Sequence, residues 1–185
     1  MSESPLSIHN PGTLAQAAVA ATSPEGMLIT PIWKRVVAIG LDIFLITLII
    51  SLLTQNKFYG IMMAIHLINF DSNGMWIILH WFIHIGLYWL YFKYTGRGYG
   101  RSFGQRAMRI AIVHDDGTLL GEAHWGRRAF HKTRYVVPVI GQLIGLIDIY
   151  RTWRHETKRS PIDVSNHTVA AVDWSLPATT RGGLK

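Results

Sequence analysis

Apolar runs separated by short basic or glycine-rich loops set the pattern of the chain. Val36 to Leu53 is apolar except for a few small polar residues and one charge, Asp42. Pro31 precedes it, and Trp33, Lys34 and Arg35 stand where interfacial anchors belong, so the pattern predicts a spanning helix from about Ile32 to Thr54. A second span is predicted over about Met75 to Tyr94, crowded with Trp76, Trp81, Phe82, Tyr88, Trp89, Tyr91 and Phe92. It should stop before Thr95-Gly96-Arg97-Gly98. Between the two, Phe58 to Phe70 is too short to span and should extend a neighbour, lie on the outer membrane surface or pack back between the helices.

The second half of the chain changes period. Arg109 to Leu120 alternates and turns at Asp115-Asp116-Gly117, a hairpin signal, and Thr168 to Trp174 is a second strand-like piece able to pair with it in a small cytoplasmic sheet. His124 to Tyr135 mixes Trp125, Phe130 and Tyr135 with basic residues and suits an interfacial helix. Val136 to Tyr150 is apolar but short of the roughly 20 residues of a spanning helix, and it contains Pro138, Gly141, Gly145 and Asp148. It is either a third tilted span or a re-entrant or in-plane helix; pairing of the two strands favours the second. The fold class is therefore an all-α membrane protein with two long transmembrane helices, a third short transmembrane or re-entrant segment, interfacial helices and a small cytoplasmic β-hairpin. Residues 1–30, which carry no lysine or arginine, read as a flexible cytoplasmic leader with a short helix signal at Leu14 to Ala21. Residues 31–174 form the membrane domain and 175–185 a tail.

Composition supports the membrane reading: 49% of the 185 residues are hydrophobic and 16% charged. With no cysteine, disulfides, thiolate metal sites, covalently attached haem and cysteine nucleophiles are excluded. The net charge of +7 collects beside the apolar runs, which points to anionic lipid and topology, not to nucleic acid. The loop between the spans has only Lys57 as a basic residue, whereas Lys93, Arg97, Arg101, Arg106 and Arg109 follow the second. That bias predicts a multi-pass protein of the bacterial cytoplasmic (inner) membrane with a cytoplasmic amino terminus.

Asp42 is the sharpest chemical feature. A carboxylate at the centre of a spanning helix costs roughly 3 kcal/mol on insertion scales, so it should face a partner, water or protein interior. Arg35, two turns earlier on the same face, is the nearest candidate, although a rise of about 10 Å argues against a direct bond. The pair is either a cation- or proton-responsive site or a structural ion pair. Asp148 can reach Arg151 or Arg154, and Asp163 can tie the tail to Arg106 or Arg128. Arg127, Arg128, Lys132 and Arg134 are candidate lipid headgroup contacts. His80 and His84, four apart on one helical face with His66 in the preceding segment, are candidate haem or chlorophyll-type pigment ligands. The alternative is hydrogen bonding and packing beside aromatic rings. No spacing calls for a metal. Gly141-x3-Gly145 permits close helix approach, and Thr95 to Ser102 lacks the strand context and Gly-Lys-Ser/Thr ending of a phosphate loop.

Several pieces in order resemble the RDD family of small membrane proteins: Arg35-x6-Asp42, Thr95-Gly96, Ser102-Phe-Gly-Gln-Arg106, Ile110 to Gly117, Arg128, and Pro161-Ile-Asp163 with Thr168 and Val169. The resemblance covers about residues 31 to 173 and implies that the arginine and two aspartates of the family's name fall on Arg35, Asp42 and Asp163. Ile162 replaces the usual histidine before the late aspartate, and His167 replaces a glycine before the threonine. Transport, including sodium/proton exchange, is what the resemblance implies for some members.

The carboxylates are scattered and the serines lack a base at any catalytic spacing, so no enzyme is expected. Two functions remain. The favoured one is an accessory subunit that docks its aromatic second helix and leader onto a larger membrane complex, respiratory or photosynthetic. The other is a small transporter or cation/proton exchanger using Asp42, oligomeric because two or three helices do not enclose a pathway.

Overall fold

The computed structural model describes residues 23–63, 74–137 and 140–184; of residues 61–63 only the backbone is described. The Leu14 to Ala21 helix signal, His66, the rest of Phe58 to Phe70 and Pro138 lie outside that range. The first long helix, α1, is Ile32–Leu53, with Pro31 at its N-cap. Its 22 residues give about 33 Å, enough for a hydrocarbon core. Only Ala38, Asp42, Ile46 and Ile50 are buried, a single fourfold-spaced stripe. Trp33, Phe44, Leu48, Leu52 and Leu53 face outward, as the lipid-facing side of a span does. After α1 the chain reverses through Gln55 and Asn56, both at positive φ, into the short α2, Lys57–Met63.

The second long helix, α3, is Gly74–Tyr99 and overruns the predicted stop at Tyr94. Thr95 satisfies its hydroxyl on the Tyr91 carbonyl at 2.6 Å. Gly96 is kept for packing: a Cβ there would stand 2.1 Å from the Trp125 ring. The stop comes at Gly100, whose φ of +69° and bond to the Gly96 carbonyl make the left-handed ending that glycine permits. Trp125 belongs to α5, Glu122–Thr133, which packs along α3 and receives a bond from Trp89 Nε1 to the Gly126 carbonyl.

Between α3 and α5 lie the one-turn helix α4, Phe103–Ala107, and strand β1, Ile110–His114. The turn at Gly117 forms as predicted, but its return arm contributes only the Val113 to Leu119 bridge. The main partner of β1 is β2, Thr168–Val172, antiparallel with Ile112 opposite Ala170. Alternate residues feed two cores: Ala111, Val113, Val169 and Ala171 meet Met27 and Leu176, while Ile110, Ile112 and Ala170 meet Ala38, Leu120 and Trp125. Both faces are therefore covered, and β2 reads as buried throughout.

Residues 28–30 join the other edge of β2: Thr30 N donates to the Ala170 carbonyl and Val172 N to the Leu28 carbonyl. Met27 is fully buried, Ile29 bridges Ala171, and Leu176 and Leu184 pack on the same core, so neither end is a mere appendage there.

After α5, a 3₁₀ turn over Arg134–Val136 leads to α6, Ile140–Arg154, displaced four residues from the predicted Val136 to Tyr150. Close packing of Gly141 on the Arg134 and Tyr135 carbonyls fixes that corner; a Cβ would approach both to 2.7 Å. The short α7, Pro161–Ser165, precedes β2, and α8, Ala178–Gly182, follows it.

Candidate functional site

Two carboxylates, Asp42 and Asp163, organise the interior, and Arg35 bonds the second and not the first. Asp42 is completely buried and takes three hydrogen bonds. Tyr91 Oη donates at 2.6 Å and Gly104 N at 2.7 Å to one oxygen, and Ser102 Oγ donates at 2.5 Å to the other. Ser102 also N-caps α4, with Gln105 returning to the Ser102 amide in a capping box. The carboxylate therefore seats the first turn of α4 on the flank of α1. Gly104 makes this approach feasible, because a Cβ would stand 2.0 Å from the Ala38 carbonyl oxygen.

Arg35 turns away from Asp42 to Asp163. Its Nη1 lies 3.2 Å from one Asp163 oxygen, while Nε and Nη2 hold the Thr30 and Ala170 carbonyls on the sheet edge. Arg128 binds the other Asp163 oxygen at 2.8 Å and also donates to the Thr168 hydroxyl. Asp163 is the third residue of the α7 capping box, accepting from Ser160 Oγ at 2.8 Å. Burial alone would raise its carboxyl, but Arg128 and Arg35 outweigh that and hold it below the usual carboxylate range. Of the two partners predicted for Asp163, Arg128 is present and Arg106 is exposed.

The four predicted headgroup contacts divide. Arg127 is exposed on α5, next to the exposed Phe130 side. Arg128 and Lys132 point inward instead, because the α5 face carrying Trp125, Ala129 and Thr133 is the one that packs. Arg134 is taken up by Asp148, which also accepts from Tyr135 Oη at 2.7 Å; neither Arg151 nor Arg154 reaches it. The Lys132 ammonium sits 4.6 Å from the centroid of the Phe92 ring. Burial pushes it down to about 8, against the pull of Asp42 and with the repulsion of Arg128. The interior holds Arg35, Arg128 and Lys132 against Asp42 and Asp163, one cation in excess; Arg159 pairs separately with Asp115 at 2.8 Å.

These groups border a cavity of about 80 Å³ lined by Arg35, Arg128, Lys132, Gln105 and Asp163. Beside it an apolar groove of about 430 Å³ runs between α1 and α6.

The histidines sit apart from this cluster. His80 Nδ1 lies 2.7 Å from the Trp76 carbonyl of its own helix. His84 is buried among the rings of Tyr88, Trp81, Tyr59 and Phe58, with centroids 4.8 to 6.2 Å away, an arrangement of packing rather than of an open axial position. Its Nδ1 has no partner among the described residues, and these hold no group of three candidate metal ligands.

Tyr91, Ser102, Gly104, Ser160 and Thr168 are site residues that pattern reading missed. The Ser-x-x-Gln and Ser-x-x-Asp spacings at 102–105 and 160–163 carried the signal, since each marks a helix start whose cap can reach a buried group.

Two helices long and apolar enough to cross a bilayer, joined to a small sheet by buried ion pairs, define a small, mostly helical membrane protein. The sequence model of the RDD family matches residues 29–165, and the chain belongs to that family. No curated protein and no solved structure matches the chain.

Proposed function

We propose that this protein is a non-enzymatic accessory subunit of a larger membrane complex. The observation that carries this reading is the commitment of Asp42. All three of its hydrogen bonds come from its own chain, two of them from the Ser102 to Gly104 turn, so it works as a joint between a span and the sheet module. The outward faces of α1 and α3 then offer aliphatic and aromatic side chains such as Trp33, Phe44, Trp76 and Phe82 to lipid or to a neighbouring subunit. We assign the protein to the bacterial inner membrane with its amino terminus and sheet module cytoplasmic, following the basic-residue bias. The α6 helix is taken as re-entrant or in-plane: its 15 residues reach about 22 Å, and the chain on either side of residues 115–167 returns to adjacent strands.

Gentle-detergent extraction of the tagged chain, with mass spectrometry and an absorption spectrum of the eluate, tests this. Stoichiometric partner subunits are expected; a homogeneous self-oligomer without partners refutes it. A second reading, a small oligomeric cation/proton exchanger using Asp42, draws support from the buried Lys132, which feels both Asp42 and Asp163. Under that reading Asp42→Asn abolishes ion flux in reconstituted vesicles while leaving yield intact.

A further inference from the structure

Two spaces in the structure share walls. The 80 Å³ cavity and the 430 Å³ groove are both lined by Arg35, Ile39, Tyr135 and Ser160. They differ in charge, although the cavity also has apolar walls from Ile110, Ile112 and Ile162 and the groove also carries Asp148. Around the cavity stand three cations, Arg35, Arg128 and Lys132, and one carboxylate, Asp163. Lys132 is more than nine-tenths buried with its ammonium 4.6 Å from the Phe92 ring centroid, and Arg128 Nε has no hydrogen-bond partner among the described residues. The groove is walled by Ile39, Gly40 and Ile43 of α1 and by Gly145, Leu146 and Ile149 of α6. Its volume lies within the roughly 300–1,000 Å³ of small-ligand clefts. The order along α1 is polar to apolar: Arg35 is near the helix start, and Ile39, Gly40 and Ile43 lie progressively further in, the sense in which a lipid in the adjoining leaflet is arranged.

From this juxtaposition we infer that the protein holds one anionic phospholipid, its phosphate head at the Arg35, Arg128 and Lys132 cavity and an acyl chain in the α1–α6 groove. The head supplies the negative charge that the buried cations lack, and the chain fills apolar space that water would occupy poorly. A soluble phosphate shares only the head chemistry. The site is separate from the protein–protein docking proposed above, since it lies in the cleft between two of the chain's own helices.

Native mass spectrometry of the purified full chain, exchanged into mixed micelles with phosphatidylglycerol or phosphatidylethanolamine, reads the site directly. One phosphatidylglycerol per chain is expected, with phosphatidylethanolamine held about fivefold more weakly, the value of one cation near an anionic headgroup. Lys132→Met should erase that preference. Gly40→Phe, placed where a Cβ meets nothing within 4 Å, should plug the groove and release both lipids while the protein stays folded. Gly145→Leu provides an independent plug on the facing helix. Equal retention of the two lipids by the unaltered chain, or full retention in both plugged variants, overturns the assignment. So does a melting shift with inorganic phosphate alone that equals the lipid's and survives Gly40→Phe, because that identifies a free-anion site.

Discussion

Adding one methyl group at Gly104 is the sharpest probe of the joint at Asp42. In Gly104→Ala the new Cβ would start 2.0 Å from the Ala38 carbonyl oxygen and 2.9 Å from the Asp42 carboxyl carbon. The first neighbour is backbone inside a long helix and cannot swing aside, so α4 must retreat by more than an ångström. That retreat breaks the Gly104 amide and Ser102 hydroxyl bonds to a buried carboxylate, at 2.7 and 2.5 Å. Bonds to a charged group contribute roughly 1.5–3 kcal/mol each, so the loss is about 3–6 kcal/mol. At about 2–4 °C per kcal/mol for a chain of this length, the melting midpoint should fall by about 6–24 °C. Thermal unfolding in mild detergent, followed by tryptophan fluorescence, measures it. Gly40→Ala is the control: its Cβ meets nothing within 4 Å, and alanine should raise helix stability by about 0.5–1 kcal/mol. A midpoint for Gly104→Ala within about 2 °C of the unaltered protein would refute the account of Asp42 as a packed joint.

Other outcomes follow from the same geometry. Asp163→Asn leaves Arg35 and Arg128 buried without their counter-ion and should cost about 3–5 kcal/mol at neutral pH, read by the same unfolding assay. Because the Asp163 carboxyl is held low in the folded state, its stabilisation is complete above the unfolded pKa near 4 and lost as pH falls through the lower folded value. Asp163→Asn should therefore flatten the acid limb of the stability curve; an unchanged limb counts against the assignment. The ammonium of Lys132 has the opposite linkage: folding is penalised below about pH 8, and the penalty is relieved as pH rises toward the unfolded value near 10.4. Lys132→Met in lipid-depleted detergent should thus raise stability by about 1–4 kcal/mol and remove that alkaline rise. His167, at a φ of +51°, carries left-handed strain, so His167→Gly should stabilise by up to about 1 kcal/mol despite the flexibility of glycine, as denaturant titration would report.

What could be read most directly in the sequence was what one segment determines alone. The two spans, the turn at Asp115 to Gly117 and the strand at Thr168 follow from local period and turn chemistry, and each is present. Two pairings across long separations were also legible, strand 110–114 with 168–172 and Arg128 with Asp163, but the partners of the α1 charges were not. Arg35 and Asp42 share a helical face, which made them look like partners. Each instead found a group that a one-dimensional pattern cannot place, Asp163 for the first and the Ser102 turn for the second. The Lys132 and Arg128 positions misled for the same reason. A basic helix with scattered aromatics looks interfacial until its inward face is known, and α3 decides that face by accepting Trp125 at Gly96. The Gly96 stop failed because glycine served packing there, while Gly100 served the turn.

The partners of the α1 charges also set a timetable for synthesis. Asp42 meets Ser102 only 60 residues later, and Arg35 meets Asp163 after 128. At about 5–20 residues per second, the first helix leaves the ribosome with its aspartate lacking the Ser102 turn for about 3–12 s and its arginine lacking a counter-ion for about 6–26 s. During that interval the nascent span is the kind of polar-bearing helix that insertion machinery retains and membrane proteases sample. Truncations ending before residue 102 should therefore remain crosslinkable to the insertion channel, whereas chains extending past β2 are released.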